Sequence, residues 1–138
     1  MSEQNSLGLV RMGYDAFGRG DIEGLLSLLD ENIEWVTPGP SEVKTAGKRR
    51  GRQAVGEFFK TLSETFDILD FQPKEFIAEG DRVVVLGFDT ARVKATGKTV
   101  DFQWAHSFVV RNGKIAQFTE YGDMSAVVAE LKGAAARV

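Results

Sequence analysis

The sequence predicts one α+β domain, in which helices from the first half of the chain cover one face of a curved antiparallel sheet from the second half. Three observations lead to this prediction. The chain has 138 residues, which is close to one typical domain. Apolar residues recur at helical spacing as far as Phe66, and after Asp70 the apolar period changes to two. A curved sheet that is covered on one side forms a cone with an open mouth.

The composition is that of a soluble globular protein, with 43% hydrophobic and 27% charged residues. The formal net charge is -3, so the chain lacks the basic field that nucleic-acid binding needs. It contains no cysteine and one histidine, so we expect neither a metal site nor a cofactor. The N-terminus is polar and no apolar run is long enough for a membrane span. We therefore expect a cytoplasmic protein without nucleic-acid or membrane partners.

The first half of the chain predicts three helices. The first covers about residues 6–18 and ends at the glycines that follow its apolar stripe. Asp21 can cap the second, a short buried helix over Ile22–Leu29. The third has a broad apolar face and extends over about residues 55–66.

Between the second and third helices we expect a short strand and a loop. Residues 34–37 are β-prone, and the prolines that follow them cannot continue a ladder. Residues 41–52 then predict a polar loop, whose basic side chains are typical of a solvated surface. The alternative is a mouth loop that attracts an anionic ligand. Those basic side chains are Lys44, Lys48, Arg49, Arg50 and Arg52.

The second half predicts a meander of four antiparallel strands, because short turn pairs separate its alternating segments. The strands cover residues 71–78, 82–94, 99–111 and 114–121. Asp123 can cap a closing helical turn over residues 124–131. We expect loose ends at residues 1–5 and 133–138.

The first long hairpin fixes which residues share a face. A two-residue turn at Thr96-Gly97 would place Arg92 opposite Asp101, a favourable cross-strand ion pair. In that register one face carries Asp89 and His106 among apolar neighbours. We therefore expect the inner face of the cone to include Val83, Val85, Phe102, Trp104 and Phe108, and the outer face to include Gln103, Ser107 and Arg111.

The next hairpin leaves two registers open. A tight turn at Asn112-Gly113 would put Thr119 and Tyr121 on the face of His106. A three-residue loop with a glycine bulge would put Phe118 and Glu120 there instead. The residues alone do not choose between these two registers.

Several segments resemble the SnoaL-like branch of the nuclear-transport-factor-two-like superfamily. They are Tyr14–Asp21, the strand that holds Trp35, Gly51-Arg52 and Gly113–Asp123. The resemblance covers about residues 6–132 of a single domain over residues 1–138. It implies a cone of curved sheet with three helices, a cystatin-like α+β barrel, and a homodimer. The superfamily includes isomerases, cyclases, epoxide hydrolases, dehydratases and non-enzymatic binders, so fold alone does not assign an activity.

The resemblance to the ketosteroid isomerases implies two hydrogen-bond donors. Tyr14 matches the tyrosine that stabilises the oxyanion in those enzymes, and His106 falls where their protonated aspartate lies. The position of their general base is Thr37, and a threonine cannot abstract a proton at neutral pH.

The resemblance to cyclases and limonene-epoxide hydrolases implies two carboxyl groups. Glu120 matches the acid position of both, and Asp89 matches the second acid of the hydrolases. The hydrolase arginine is replaced by Gly87. The family's bulged hairpin favours the register that points Glu120 inward.

We therefore expect a small-molecule cavity with catalytic candidates Glu120, His106, Asp89 and Tyr14. The expected ligand-binding wall consists of Trp35, Phe59, Phe102, Trp104, Phe108 and Phe118. The hypothesis is a cofactor-free acid/base isomerase or cyclase acting on a ring-containing carbonyl metabolite. The alternative is a non-catalytic binding or accessory protein for a small apolar or aromatic ligand. A homodimer would form through the convex sheet face, which would carry Leu86, Phe88, Thr90, Ala105, Ser107 and Val109.

Overall fold

The computed structural model of the chain describes residues 3–136, with side chains as far as residue 133. It contains four helices and six strands within this range. In chain order they are α1 (Glu3–Gly18), α2 (Ile22–Ser27), β1 (Leu29–Thr37), β2 (Gly47–Arg50), α3 (Arg52–Thr65), β3 (Phe66–Glu79), β4 (Arg82–Val93), β5 (Thr99–Arg111), β6 (Lys114–Gly122) and α4 (Ser125–Ala136). None of the described helices is long and apolar enough to cross a membrane.

The six strands form one curved sheet with the order β2-β1-β6-β5-β4-β3. Neighbouring strands are antiparallel except β1 and β6, which are parallel. The three helices of the first half pack on one face, which we call the inner face, and the opposite face is the outer face. Val10 of α1, Val55 of α3, and Val85 and Trp104 of the sheet share one buried core there. The predicted α+β fold is confirmed.

Several boundaries in the first half differ from the sequence prediction; among them, β3 begins at Phe66, which was expected to end the third helix. Helix α2 ends at Ser27, and Leu29 instead begins β1, where its side chain is 1% exposed. The segment predicted as a loop over residues 41–52 contains strand β2, which pairs with β1. Its basic residues made it resemble a solvated loop. A short, charged strand is also how proteins protect a sheet edge from further pairing, which explains why this strand looks polar.

The expected loose ends are helical where the structure describes them. Helix α1 begins at Glu3, whose negative charge is favourable at a helix N-terminus. Helix α4 continues to Ala136 because the alanines near its end are strong helix formers. Residues 1, 2, 137 and 138 lie outside the described range. The predicted cap of α4 is present, since the Asp123 carboxylate accepts a hydrogen bond from the Ser125 N–H at 2.9 Å.

The hairpin between β4 and β5 is shifted by two residues from the predicted register. Its loop has four residues, closed by the hydrogen bond from the Val93 N–H to the Lys98 carbonyl, rather than two. Arg92 therefore lies opposite Thr99 and not Asp101, and it forms an ion pair with Asp67 at 3.5 Å. Because a shift by two residues keeps each side chain on its face, the predicted inner set is unchanged.

The hairpin between β5 and β6 combines features of the two predicted registers. The turn is the tight one, with positive φ at both Asn112 and Gly113. The pairing then shifts by one residue at Ala116, because a β-bulge leaves this residue without an opposite partner. Glu120 consequently lies opposite His106, on the inner face. A tight turn and an inward Glu120 occur together because the bulge is in the strand and not in the turn.

The alternation predicted for β5 is confirmed. Trp104, His106 and Phe108 are 4%, 5% and 6% exposed on the inner face. Gln103 and Arg111 are exposed on the opposite side of the strand. The strand that carries the single histidine is thus oriented as the two-residue period requires.

Gly87 makes room for the indole ring of Trp104 on the inner face. The two residues lie opposite each other on β4 and β5. A Cβ atom at Gly87 would lie 2.5 Å from the Trp104 ring and would also overlap the backbone carbonyl oxygen of Gln72. A carbonyl within a sheet cannot move aside without breaking the ladder, so this position requires glycine.

We predict that Gly87→Ala lowers the free energy of unfolding by about 1–3 kcal/mol through overpacking. Urea denaturation measures the change. The matched control is Gly8→Ala in α1, where a Cβ would meet nothing within 4 Å. That variant should gain about 0.5–1 kcal/mol, because alanine loses less entropy in a helix than glycine does. Equal stability of the two variants would contradict this account of Gly87.

Candidate functional site

A cavity of about 140 Å³ lies between the inner face of the sheet and the helices. Its wall is mostly aromatic and aliphatic. The expected wall residues Trp35, Phe59, Phe102, Phe108 and Phe118 line it, together with Tyr14, Asp89, His106 and Glu120. Trp104 does not line the cavity but lies against His106, with ring centroids 3.8 Å apart and nearly parallel planes.

Three of the expected polar residues are joined in one hydrogen-bonded chain. Helix α1 brings the Tyr14 hydroxyl to 2.7 Å from His106 Nδ1. The other ring nitrogen, Nε2, lies 2.7 Å from Glu120 Oε2, across the pair of strands that the Ala116 bulge brings into register. No described residue donates a hydrogen bond to the second carboxylate oxygen of Glu120. This hydrogen-bonded chain thus fixes one carboxylate oxygen of Glu120 and leaves the other one free.

The protons of this chain can be assigned from burial and charge. Burial lowers the pKa of His106, although the neighbouring Glu120 carboxylate opposes that shift. Because a carboxylate can only accept, the neutral imidazole carries its proton on Nε2 and accepts at Nδ1. Burial and the charge of Glu120 both raise the pKa of Tyr14, so its hydroxyl keeps its proton and donates it to Nδ1. In this hydrogen-bonded chain Tyr14 therefore donates to His106, and His106 donates to Glu120.

This arrangement does not fit the two oxyanion donors that the resemblance to isomerases implies. Both ring nitrogens of His106 are occupied by protein groups, and the proton of Tyr14 is committed to His106. Thr37 is also engaged, since its hydroxyl donates to the carbonyl oxygen of Thr45. His106 and Tyr14 orient Glu120. None of Tyr14, His106 and Thr37 has a free donor to offer a ligand.

Asp89 reaches the same cavity from β4. It lies opposite Phe102, whereas Glu120 lies opposite His106, so the two carboxyl positions are four residues apart along β5. Burial, followed by the charges of Glu120 and Asp101, raises the pKa of Asp89 to about 7. The Trp104 indole opposes this rise, although its N–H makes no hydrogen bond of full geometry. Asp89 is thus a proton donor near neutral pH.

Aromatic rings surround the imidazole and fix its plane. Trp104 stacks on one side, and the edge of Phe118 approaches with ring centroids 4.8 Å apart. Phe118 in turn stacks on Trp35, with centroids 3.9 Å apart. The Trp35 N–H is buried and has no hydrogen-bond partner among the described residues. The wall is therefore closely packed and mostly apolar.

Helix α4 and the residue before it cover the open end of the cone, which was not expected from the sequence. Met124 and Val127, before and within α4, both line the cavity. Val127 is 4% exposed and packs against Val93 and Val100 of the sheet. The three-residue spacing of these two apolar side chains was the available signal, because it predicts one buried helix face.

The basic segment is used to hold the fold together. Arg49 donates to the Lys44 carbonyl at 2.8 Å, Arg50 pairs with Glu34 at 2.6 Å, and Arg52 donates to the carbonyl of Leu29 at 2.8 Å. Among the described residues that line the cavity there is no lysine or arginine. The geometry therefore gives no support to the alternative of an anion-attracting mouth loop.

No group of three or more histidine, aspartate or glutamate side chains within residues 3–136 has the arrangement of a metal site. The chemistry that remains is that of the two carboxyl groups. Both groups line the cavity, and the charge of Glu120 contributes to the raised pKa of Asp89.

The chain matches known proteins over most of its length. It matches the family described as SnoaL-like domain over residues 10–118. An NTF2-like protein from Burkholderia xenovorans LB400 is 38% identical, with 94% of this chain and 97% of that chain covered and a TM-score of 0.85. TerC, crystallised with polyporic acid, is 29% identical, with coverages of 91% and 96% and a TM-score of 0.82. No curated protein matches the chain.

A further similar structure is that of a candidate polyketide cyclase from Xanthomonas campestris pv. campestris. It is 25% identical, with 92% of this chain and 96% of that chain covered and a TM-score of 0.74. The matched segment, residues 10–118, includes the part of the sheet that carries Asp89 and His106. The chain therefore belongs to the SnoaL-like family of the NTF2-like superfamily.

Proposed function

We propose that this protein catalyses cofactor-free proton transfer on a small ring-containing carbonyl compound, as an isomerase or cyclase. The observation that carries the proposal is the pair of carboxyl groups, Asp89 and Glu120, in the wall of one apolar cavity. Two carboxyl groups whose environments differ can serve as acid and base in the same reaction.

Glu120 is the general base in this proposal. Its free oxygen takes a proton from the carbon next to the carbonyl, and the electron pair of that C–H bond moves to the carbonyl oxygen. His106 and Tyr14 act as positioning residues, because His106 holds the other carboxylate oxygen at 2.7 Å and Tyr14 holds His106 through a second hydrogen bond of 2.7 Å. A positioned carboxylate reacts faster than a freely rotating one, since its orientation is set before the reaction.

Asp89 is the general acid. With its pKa raised to about 7, it can donate a proton or a hydrogen bond to the carbonyl oxygen as negative charge develops there. The resulting enol returns to a ketone when a proton is delivered to a different carbon, which is an isomerisation. Attack of the enol carbon on a second carbonyl would instead close a ring.

The size of the cavity and the similar structures support a small aromatic or cyclic ligand. A cavity near 150 Å³ holds a compound of about the size of benzene. A similar protein, TerC, was crystallised with polyporic acid, and another is described as a candidate polyketide cyclase. The likeness to the candidate polyketide cyclase is the reason for choosing a carbonyl compound rather than another apolar ligand.

A non-catalytic binding protein is the second candidate. It is favoured by Thr37 and Gly87, which stand where the resembling isomerases and hydrolases have a base and an arginine. Hydrogen–deuterium exchange separates the two candidates. In D2O, an enzyme of the proposed kind exchanges the protons next to the carbonyl of cyclohexanone-type ketones faster than buffer does, as followed by proton NMR. A binding protein leaves the buffer rate unchanged.

We predict that Glu120→Gln lowers this exchange rate at saturating ketone by a factor of about a hundred or more, because it removes the base. Ketone affinity should stay within about tenfold, since glutamine keeps the size of glutamate. NMR titration measures the affinity. Tyr14→Phe, which removes only the positioning hydroxyl, should cost less than Glu120→Gln. An unchanged exchange rate in Glu120→Gln would remove Glu120 from this role.

We predict that stability depends on pH through Asp89. The pKa of Asp89 is about 7 in the folded chain and about 3.9 in the unfolded chain. Its stabilising contribution to the free energy of unfolding is therefore complete below about pH 3.9 and is lost as pH rises through 7. Asp89→Asn lacks this loss. Its free energy of unfolding should therefore exceed that of the native chain by more at pH 8 than at pH 5. Urea denaturation at both pH values tests this. Asp15→Asn on the exposed side of α1 is the control, and an equal effect of Asp89→Asn at both pH values would refute the prediction.

We further propose a homodimer in the cytoplasm, formed through the outer face of the sheet. Leu86 is 37% and Ile77 55% exposed on that face, and Phe88 is half-buried on the same face. Val109, expected as part of the interface, is 7% exposed within one chain and contributes little area. Covering such an apolar patch is favourable. The lack of cysteine supports the reducing compartment.

We predict that the native chain sediments as a dimer at micromolar concentration and that Leu86→Arg shifts it to a monomer. A buried arginine without a partner would oppose association. Met12→Arg is the control, because Met12 is 54% exposed on α1, away from the outer face. A native chain that sediments as a monomer would contradict this interface.

A further inference from the structure

We propose that the cavity selects its ligand by charge: it accepts uncharged ring compounds and rejects ring carboxylates. This inference rests on the proposed function, whose site it describes more closely. It follows from where the chain places its charged groups, and it narrows the substrate class to ring carbonyl compounds that carry no negative charge.

The ionisable acids on the cavity wall are Asp89 and Glu120. Among the described residues of the wall, no lysine or arginine offsets them. An anion that enters an apolar cavity loses its hydration and gains no cationic partner. It also meets the carboxylate of Glu120 across a medium that screens charge poorly.

His106 does not supply the missing positive charge. Its ring is 5% exposed, and burial lowers its pKa, which favours the neutral imidazole. Protonation at Nδ1 would make this nitrogen a donor, so the Tyr14 hydroxyl would have to turn its own proton away from His106. The negative charge of Glu120 therefore faces the cavity without a neutralising partner.

The cationic side chain of Arg49 is held outside the cavity. Arg49 lies over the ring of Phe58, 5.1 Å from its centroid, while Phe58 itself lines the cavity. The guanidinium of Arg49 also donates to the Lys44 carbonyl at 2.8 Å. Turning this side chain inward would break that hydrogen bond and would require it to pass a packed aromatic ring. The apolar wall thus separates the cations outside from the carboxyl groups inside.

An uncharged carbonyl compound has no such penalty. Its oxygen can accept a hydrogen bond from the acid form of Asp89, and its ring contacts Phe108 and Phe118. Benzamide and benzoate are a matched pair for testing this, because they have nearly the same shape and differ in charge. Benzamide keeps the carbonyl group that the proposed reaction requires.

The test is calorimetric titration of the native chain with benzamide and with benzoate at pH 7.5. We expect benzoate to bind at least about tenfold more weakly than benzamide, since like charges in a poorly solvated site are strongly unfavourable. Glu120→Gln should narrow this ratio, because it removes the repelling charge. Asp89→Asn provides a second variant with the same expected direction, because at pH 7.5, above its pKa of about 7, most of the Asp89 side chain is the carboxylate. Glu57→Gln, on the exposed side of α3, should leave the ratio unchanged.

Equal or tighter binding of benzoate to the native chain would overturn the inference, as would a ratio that neither cavity variant changes. In either case the proposed proton transfer would stand, because ketone exchange is measured separately. If neither compound binds at millimolar concentration, the inference fails together with the ligand cavity on which the proposed function depends.

Discussion

The imidazole of His106 is buried in the middle of the sheet, and each of its nitrogens needs a hydrogen-bond partner. Leaving either one unpaired would cost about 1–3 kcal/mol. Tyr14 meets this requirement from α1 and Glu120 from β6, so one side chain ties a helix to two strands. The requirement thus links α1 to the sheet at the point where the Ala116 bulge places Glu120 opposite His106.

The raised pKa of Asp89 depends on which residues stand beside it. The resemblance places an arginine at position 87, but the residue is glycine, and the Trp104 indole packs across that space. Among the described residues no cation lowers the pKa of Asp89, and burial and neighbouring carboxylates raise it. Asp89, which an arginine at position 87 could have paired with, is instead an acid in an apolar wall.

The two-residue period was enough to predict which side chains of β5 face inward, and it remained valid although the β4–β5 register was wrong by two residues. The sequence could not locate the bulge at Ala116, because alanine carries no signal for a bulge and the turn alone was used to set the register. Strand β2 was missed because its charges are equally typical of a loop. The chain from Tyr14 to Glu120 joins residues that are 106 positions apart, and only the packing of α1 on the sheet reveals it.

The bulge at Ala116 decides which side chains of β6 face the cavity. If the same residues paired regularly from the Asn112-Gly113 turn, Thr119 and Tyr121 would face the cavity and Glu120 would lie in solvent. Loss of Ala116 would instead leave Glu120 opposite His106, because the bulge holds the one residue that the ladder does not use. A related chain with one residue fewer in β6 can therefore pair without a bulge and keep an acidic wall, so the length of this strand does not by itself show which face its acid occupies.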